Sequence, residues 1–144
     1  MLAEAAREPS VEAVRGQPEL GRYAEGWGRQ GDMGIGAFEG HHIAVGAVWL
    51  RLWPEGMTGF ATVDPGTPEL AMGVLPEHRG RGVGTELLRR VIESARGTYP
   101  AIALSVRAQN PVIRLYTRTG FRRLPGSDTI NRAGSISFTM TLAV

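Results

Sequence analysis

Apolar residues along this chain change period several times, and each change marks an element. Near the start, Leu2, Ala5 and Ala6 make a short apolar face that stops before Pro9, and Ser10 can cap a further turn. Pro18 fits the first position of a helix. Leu20, Tyr23, Ala24 and Trp27 then recur at i, i+3, i+4 and i+7, which predicts a helix from Pro18 to Trp27 ended by Gly28. Two short apolar runs, Ile35–Glu39 and Ile43–Leu52, flank Gly40-His41-His42 and read as a hairpin. The glycine-rich stretch from Pro54 to Gly66 reads as a loop, and Glu69–Leu75 as a strand apolar on both faces. From Val83 the spacing turns helical: Val83, Leu87, Leu88, Val91, Ile92 and Ala95 share one face, and Glu86, Arg89, Arg90 and Glu93 share the other, up to a cap at Gly97. Ala101–Val106 is a buried strand, and Asn110-Pro111 opens a helix that runs to Thr119 and closes at Gly120. Phe121–Leu124 and Ser135–Leu142 are the last two strands. This succession predicts a mixed α/β sheet with helices on its faces.

At 144 residues and 42% apolar, with no internal repeat or long linker, the chain is expected to be one domain over residues 1–144. No stretch is long and apolar enough for a membrane span, and no basic segment precedes an apolar one at the start, so a soluble, cytoplasmic protein without a membrane partner is expected. Cysteine is absent, which excludes disulfides, thiolate metal sites and an acyl-cysteine intermediate. Sixteen basic residues against fourteen acidic give a net charge of +2, yet the isoelectric point is 9.7. Every basic residue is Arg, whose charge persists to high pH. The arginines are spread from Arg7 to Arg132 among interleaved acids, which argues against nucleic acid as a partner.

The chemistry concentrates at Pro76–Leu88, PEHRGRGVGTELL, where a buried strand ends and three glycines in five residues lead into an amphipathic helix. Such a junction suits an anion: glycines let the backbone approach a ligand, and the free amides of the first helical turn converge with the positive end of the dipole. Arg79 and Arg81 add donors matched to phosphate oxygens. A Walker loop needs a Lys, and this chain has none. The dinucleotide pattern GxGxxG also fails, because Thr85 stands where its third glycine belongs.

Arg79, Gly82 and Gly84 match [QR]xxGx[GA] between a strand and a helix, and Asn110 to Phe121, NPVIRLYTRTGF, supplies an Asn, a helix with Tyr, then Gly-Phe. In both segments the sequence resembles the GCN5-related N-acetyltransferase (GNAT) superfamily over roughly Glu69 to Leu124. The resemblance implies a mixed, mostly antiparallel central sheet with helices on both faces. It implies acetyl-CoA as co-substrate, with its pyrophosphate on Arg79, Gly80, Arg81, Gly82, Val83, Gly84 and Thr85. Pantetheine would pair like an added strand with the backbone near Met72 and Val74, while Asn110 would hold it from the other side or serve only as a helix cap. Members of the superfamily usually open with a strand before the first helix. Here that strand is expected to be missing, either because the start was assigned too late or because the domain lives without it, which would leave an edge for the chain or a homodimer partner to cover.

Acetylating an amine requires its neutral form, and a lysine-like amine at pH 7 lies roughly 3.4 units below its pKa, a deficit of about 4.6 kcal/mol. Under the resemblance Glu69 takes that proton, directly or through water; the alternative is a surface ion pair or a substrate contact. Tyr116 matches the tyrosine facing the CoA sulfur. A phenol near pKa 10 is a poor full donor to a thiolate near 8.5, by about 2 kcal/mol, so hydrogen bonding to the leaving sulfur is the expected role, against simple core packing. Without cysteine, transfer is expected to be direct, onto a small-molecule or peptide amine; the runner-up is a non-catalytic acyl-CoA-binding regulator. Self-acetylation on lysine is excluded. Adjacent His41 and His42 read as a solvated turn rather than a metal site, and His78 as surface, so no metal is expected. Tyr23, Trp27, Trp49 and Trp53 are candidates for the acceptor pocket or for the core.

Overall fold

The computed structural model describes residues 17–144. The apolar face at Leu2, Ala5 and Ala6, the cap at Ser10 and the expected absence of an opening strand lie outside these residues. The described residues have a mixed α/β architecture of seven mostly antiparallel strands and three α-helices. They fall into two compact units, residues 17–51 with 71–94 and residues 52–70 with 95–144.

In the first unit, β1 (Met33–Glu39) and β2 (Ile43–Arg51) form the expected hairpin, in register from Met33↔Leu50 to Glu39↔Ile43 with a bulge between Ala37 and Phe38. The end of strand β3 (Glu69–Val74) is tied to β2, with Leu75 N–H donating to the Val45 carbonyl at 2.8 Å. Helix α2 (Val83–Ala95) buries Leu87, Leu88, Val91 and Ile92 and exposes Glu86, Arg89, Arg90 and Glu93, as its periodicity predicts. It packs closely on β2: a Cβ at Gly46 would lie 3.1 Å from Leu87 Cδ1 and 3.2 Å from Val83 Cγ1. Glycine there lets the first turn of α2 approach the strand.

The expected helix from Pro18 to Trp27 is a correction. Helix α1 covers only Pro18–Gly21, and turns follow it to Gly28. Gly26 and Gly28 take positive φ (61° and 102°), so the backbone leaves the helical path before the apolar repeat is used up. Leu20 and Tyr23 are buried, whereas Trp27 is 49% exposed. What holds this segment is a buried ion pair that periodicity does not reveal. Arg51 is 1% exposed, and its Nε and Nη2 donate to Asp32 Oδ1 and Oδ2 at 2.9 and 2.6 Å. Its Nη1 donates to the carbonyls of Arg22 and Glu25, and the guanidinium lies 5.3 Å from the Trp27 ring centroid. Asp32 also accepts the amides of Gly28 and Arg29.

In the second unit, β4 (Ala101–Arg107) is central. It pairs parallel to the start of β3 at Glu69↔Ala103 and antiparallel to β7 (Ile136–Ala143) along its whole length. The last strand expected from Ser135 is thus present, while that from Phe121 shrinks to β5 (Arg122–Arg123). An unforeseen two-residue strand, β6 (Thr129–Ile130), also pairs with β7; two residues are too few to leave a period in the sequence. Helix α3 (Ile113–Thr119) closes at Gly120, whose φ of 111° suits a left-handed cap and which turns buried Phe121 inward.

Burial acts to raise the pKa of Asp32, but the hydrogen bond from Arg51, the amides of Gly28 and Arg29 and the Arg51 charge outweigh it and hold the carboxyl below its ordinary 3.8. Asp32 therefore contributes stability that is fully present above about pH 4 and is lost as pH falls further, because the unfolded chain takes up the proton first. Asp32→Asn leaves the buried guanidinium without its counter-charge, and a loss of about 3–5 kcal/mol is expected in urea unfolding at pH 7. A loss below about 1 kcal/mol would show that the pair does not hold the segment.

Candidate active site

Residues 76–85 belong to the first unit. After β3, Pro76–His78 form a single 3-10 turn, and Gly80 and Gly82 take φ of 72° and 82°, conformations that favour glycine. Glu86 N–H donates to the Gly82 carbonyl at 3.0 Å, which makes Gly82 the residue before the first helical turn. The amides from Gly80 to Thr85 have no hydrogen-bond partner among the described residues. A cluster of free amides at the positive end of a 13-residue helix is the arrangement the sequence predicted for an anion.

Two arginines flank it, both exposed. Arg79 Nε donates to the Val74 carbonyl at 2.9 Å, so this side chain braces the end of β3 against the turn. Its terminal nitrogens make no hydrogen bond to a described residue. The carbonyl expected to meet pantetheine thus already accepts one bond; a second lone pair stays available. Glu86, the acid in the first turn of α2, is held down to about 2 by hydrogen bonds from Arg89 and Arg90. With Glu93 also on Arg89, these four charges cancel and leave the dipole unopposed. Met72 and Val74 lie on the same strand and are half-buried.

Glu69, Asn110 and Tyr116 belong to the second unit. Glu69 is not at the surface, where the alternative reading put it: the residue is 2% exposed. Trp53 Nε1 donates to its Oε2 at 2.8 Å and the Ala61 amide donates to its Oε1 at 3.1 Å. Trp53 is therefore buried against this carboxylate, a link that sequence spacing could not reveal. Asn110 Oδ1 accepts the Val112 amide at 3.0 Å, so it makes the capping turn, although α3 begins only at Ile113. Tyr116 is buried on α3 with its ring 5.7 Å from that of Phe121.

The other candidates have structural roles. Trp49 donates to the Tyr23 carbonyl at 3.0 Å, and both are core residues. His41 and His42 are exposed in the hairpin turn. His78 is less exposed than expected, 14% at its side chain, with Nε2 3.7 Å from Glu39 Oε2. Among the described residues no group of His, Asp or Glu gathers that could hold a metal, and no helix is long and apolar enough to cross a membrane.

A family model described as "Acetyltransferase (GNAT) family" matches residues 2–121, and the chain belongs to that family. Similar solved structures include a ribosomal-protein-alanine N-acetyltransferase from Brucella melitensis, 23% identical with a TM-score of 0.68 over 85% of this chain and 75% of that one. A protein from Bordetella pertussis, described there as a proposed GNAT-family acetyltransferase, is 19% identical with a TM-score of 0.71 over 99% and 87%. These two share the fold. The protein yncA from Salmonella typhimurium, solved with acetyl-CoA, is 25% identical with a TM-score of 0.58 over 73% of this chain and 61% of that one. No curated protein matches this chain.

Space is open around a Cβ at Gly82, so Gly82→Ala acts through backbone strain alone, about 1–2 kcal/mol. Inorganic pyrophosphate is expected to raise the melting temperature of the wild type and to raise that of Gly82→Ala by less than half as much. Equal shifts in the two proteins would separate the anion from this turn.

Proposed function

We propose that residues 1–144 act as one acetyl-CoA-dependent N-acetyltransferase domain that moves an acetyl group directly onto an amine. The observation that carries this reading is the free amide cluster from Gly80 to Thr85 at the head of α2. It fits a diphosphate in charge and in donor geometry, and the adjoining Arg79 and Arg81 add guanidinium groups. In this reading Arg79, Gly80, Arg81, Gly82, Val83, Gly84 and Thr85 hold the pyrophosphate. Met72, Val74 and Asn110 steady the pantetheine arm, and the amide near Val74 polarises the thioester carbonyl.

Glu69 takes the proton that the acceptor amine must lose. Its burial favours transfer through a water over direct contact with a bulky acceptor. As the nitrogen–carbon bond forms and the carbon–sulfur bond breaks, the sulfur leaves as a thiolate, and the Tyr116 hydroxyl stabilises it by hydrogen bonding. The chain has no cysteine, so no acyl group is parked on a thiol and both substrates are bound together. The acceptor class is a small-molecule or peptide amine.

The decisive experiment pairs calorimetric titration of acetyl-CoA with free-thiol release in the presence of spermine, tyramine and peptides with free N-termini. Binding in the micromolar range with amine-dependent thiol release is expected, with ATP and NAD competing far less well than CoA. Binding without release across the panel would favour the acyl-CoA-binding regulator. Tyr116→Phe is expected to lower kcat at least tenfold while the Kd for acetyl-CoA stays within twofold; wild-type kcat in this variant would exclude the tyrosine from catalysis.

A further inference from the structure

A carboxylate as buried as Glu69 needs hydrogen bonds to stay in place. Here the 52–67 loop donates to both oxygens: the Trp53 indole to Oε2 and the Ala61 amide to Oε1. Neither donor can rotate into an acceptor role, since an indole N–H and a backbone N–H only donate. The two bonds therefore constrain the tilt of the carboxylate plane.

The loop is shaped to this carboxylate. A Cβ at Gly59 would overlap Glu69 Oε2 and Trp53 Nε1, so only glycine lets the chain pass. Gly59 N–H donates to Thr62 Oγ1 at 2.7 Å, bracketing Ala61, and Thr67 Oγ1 donates to Asp64 Oδ2 at 2.8 Å further along the loop. Trp53 and Ala61 are buried at 8% and 3% exposure.

We infer that Trp53 is a positioning residue that holds Glu69 in the orientation for accepting the amine proton. The inference rests on the reading of Glu69 given above. Trp53→Phe keeps an aromatic ring and removes the donor. It is expected to lower kcat about tenfold with the amine selected by the panel, with KM for acetyl-CoA within twofold. A tryptophan that acted only as packing would slow Glu69→Gln by the same factor; a positioning tryptophan slows it less than twofold, because the carboxylate it serves is gone.

The outcomes separate the two claims. If Glu69→Gln keeps wild-type kcat, or the wild type transfers to no amine, the reading of Glu69 falls and this inference with it. If Glu69→Gln is slow while Trp53→Phe runs at the wild-type rate, or slows both backgrounds equally, the positioning role alone is overturned. Should Trp53→Phe fail to fold, the indole resonances of the wild type and Glu69→Gln carry the test. A readout independent of turnover is the Trp53 indole N–H resonance, expected to move upfield in Glu69→Gln while those of Trp27 and Trp49 stay put; an unmoved resonance overturns the contact.

Discussion

The first turn of helix α2 leaves amides that the helix itself cannot satisfy, and every helix of this length faces the same deficit. Many helices meet it with a capping side chain. Here the residue in the cap position is Gly82, which has none. Gly80 and Gly82, in conformations that other residues enter only with strain, keep the approach clear, so the amides from Gly80 to Thr85 stay available. Water can satisfy such groups, but an anion does so with the added attraction of the dipole. The packing behind the turn keeps it in place: Gly46 admits Leu87 and Val83 against β2, and the buried face of α2 fixes the axis along which the amides point.

Charge is handled differently in each unit, by the same rule. Arg51 and Asp32 are nearly inaccessible, and each satisfies the other while also bonding the backbone of the irregular segment from Arg22 to Arg29. A segment too rich in glycine to hold itself as a helix is thus held by one charged pair. Glu69 also receives neutral donors, from the 52–67 loop, on both carboxylate oxygens.

Elements governed by local rules were legible in the sequence. The hairpin around Gly40, the strand from Glu69, the helix from Val83 and the helix ending at Gly120 all follow from periodicity and glycine punctuation, and the structure has them within a few residues. The glycine turn ahead of α2 was legible for the same reason, because glycine spacing is a local property. What stayed hidden depends on residues distant in sequence. Arg51 and Asp32 are 19 residues apart and Trp53 and Glu69 are 16 apart, and no periodic pattern links either pair. The stretch from Pro18 to Trp27 misled because its apolar spacing is helical while its glycines are not, and backbone freedom at Gly26 and Gly28 prevailed over amphipathicity.

Arg79 shows why the motif takes this residue at this place. Its Nε is spent on the Val74 carbonyl, which joins the end of β3 to the turn, and its terminal nitrogens remain beyond that bond. A lysine has one nitrogen at the end of a flexible stem, so bracing the strand would occupy its only charged group. The guanidinium separates the two tasks across a rigid plane, so that the strand and the turn keep a fixed relation while charge still faces outward.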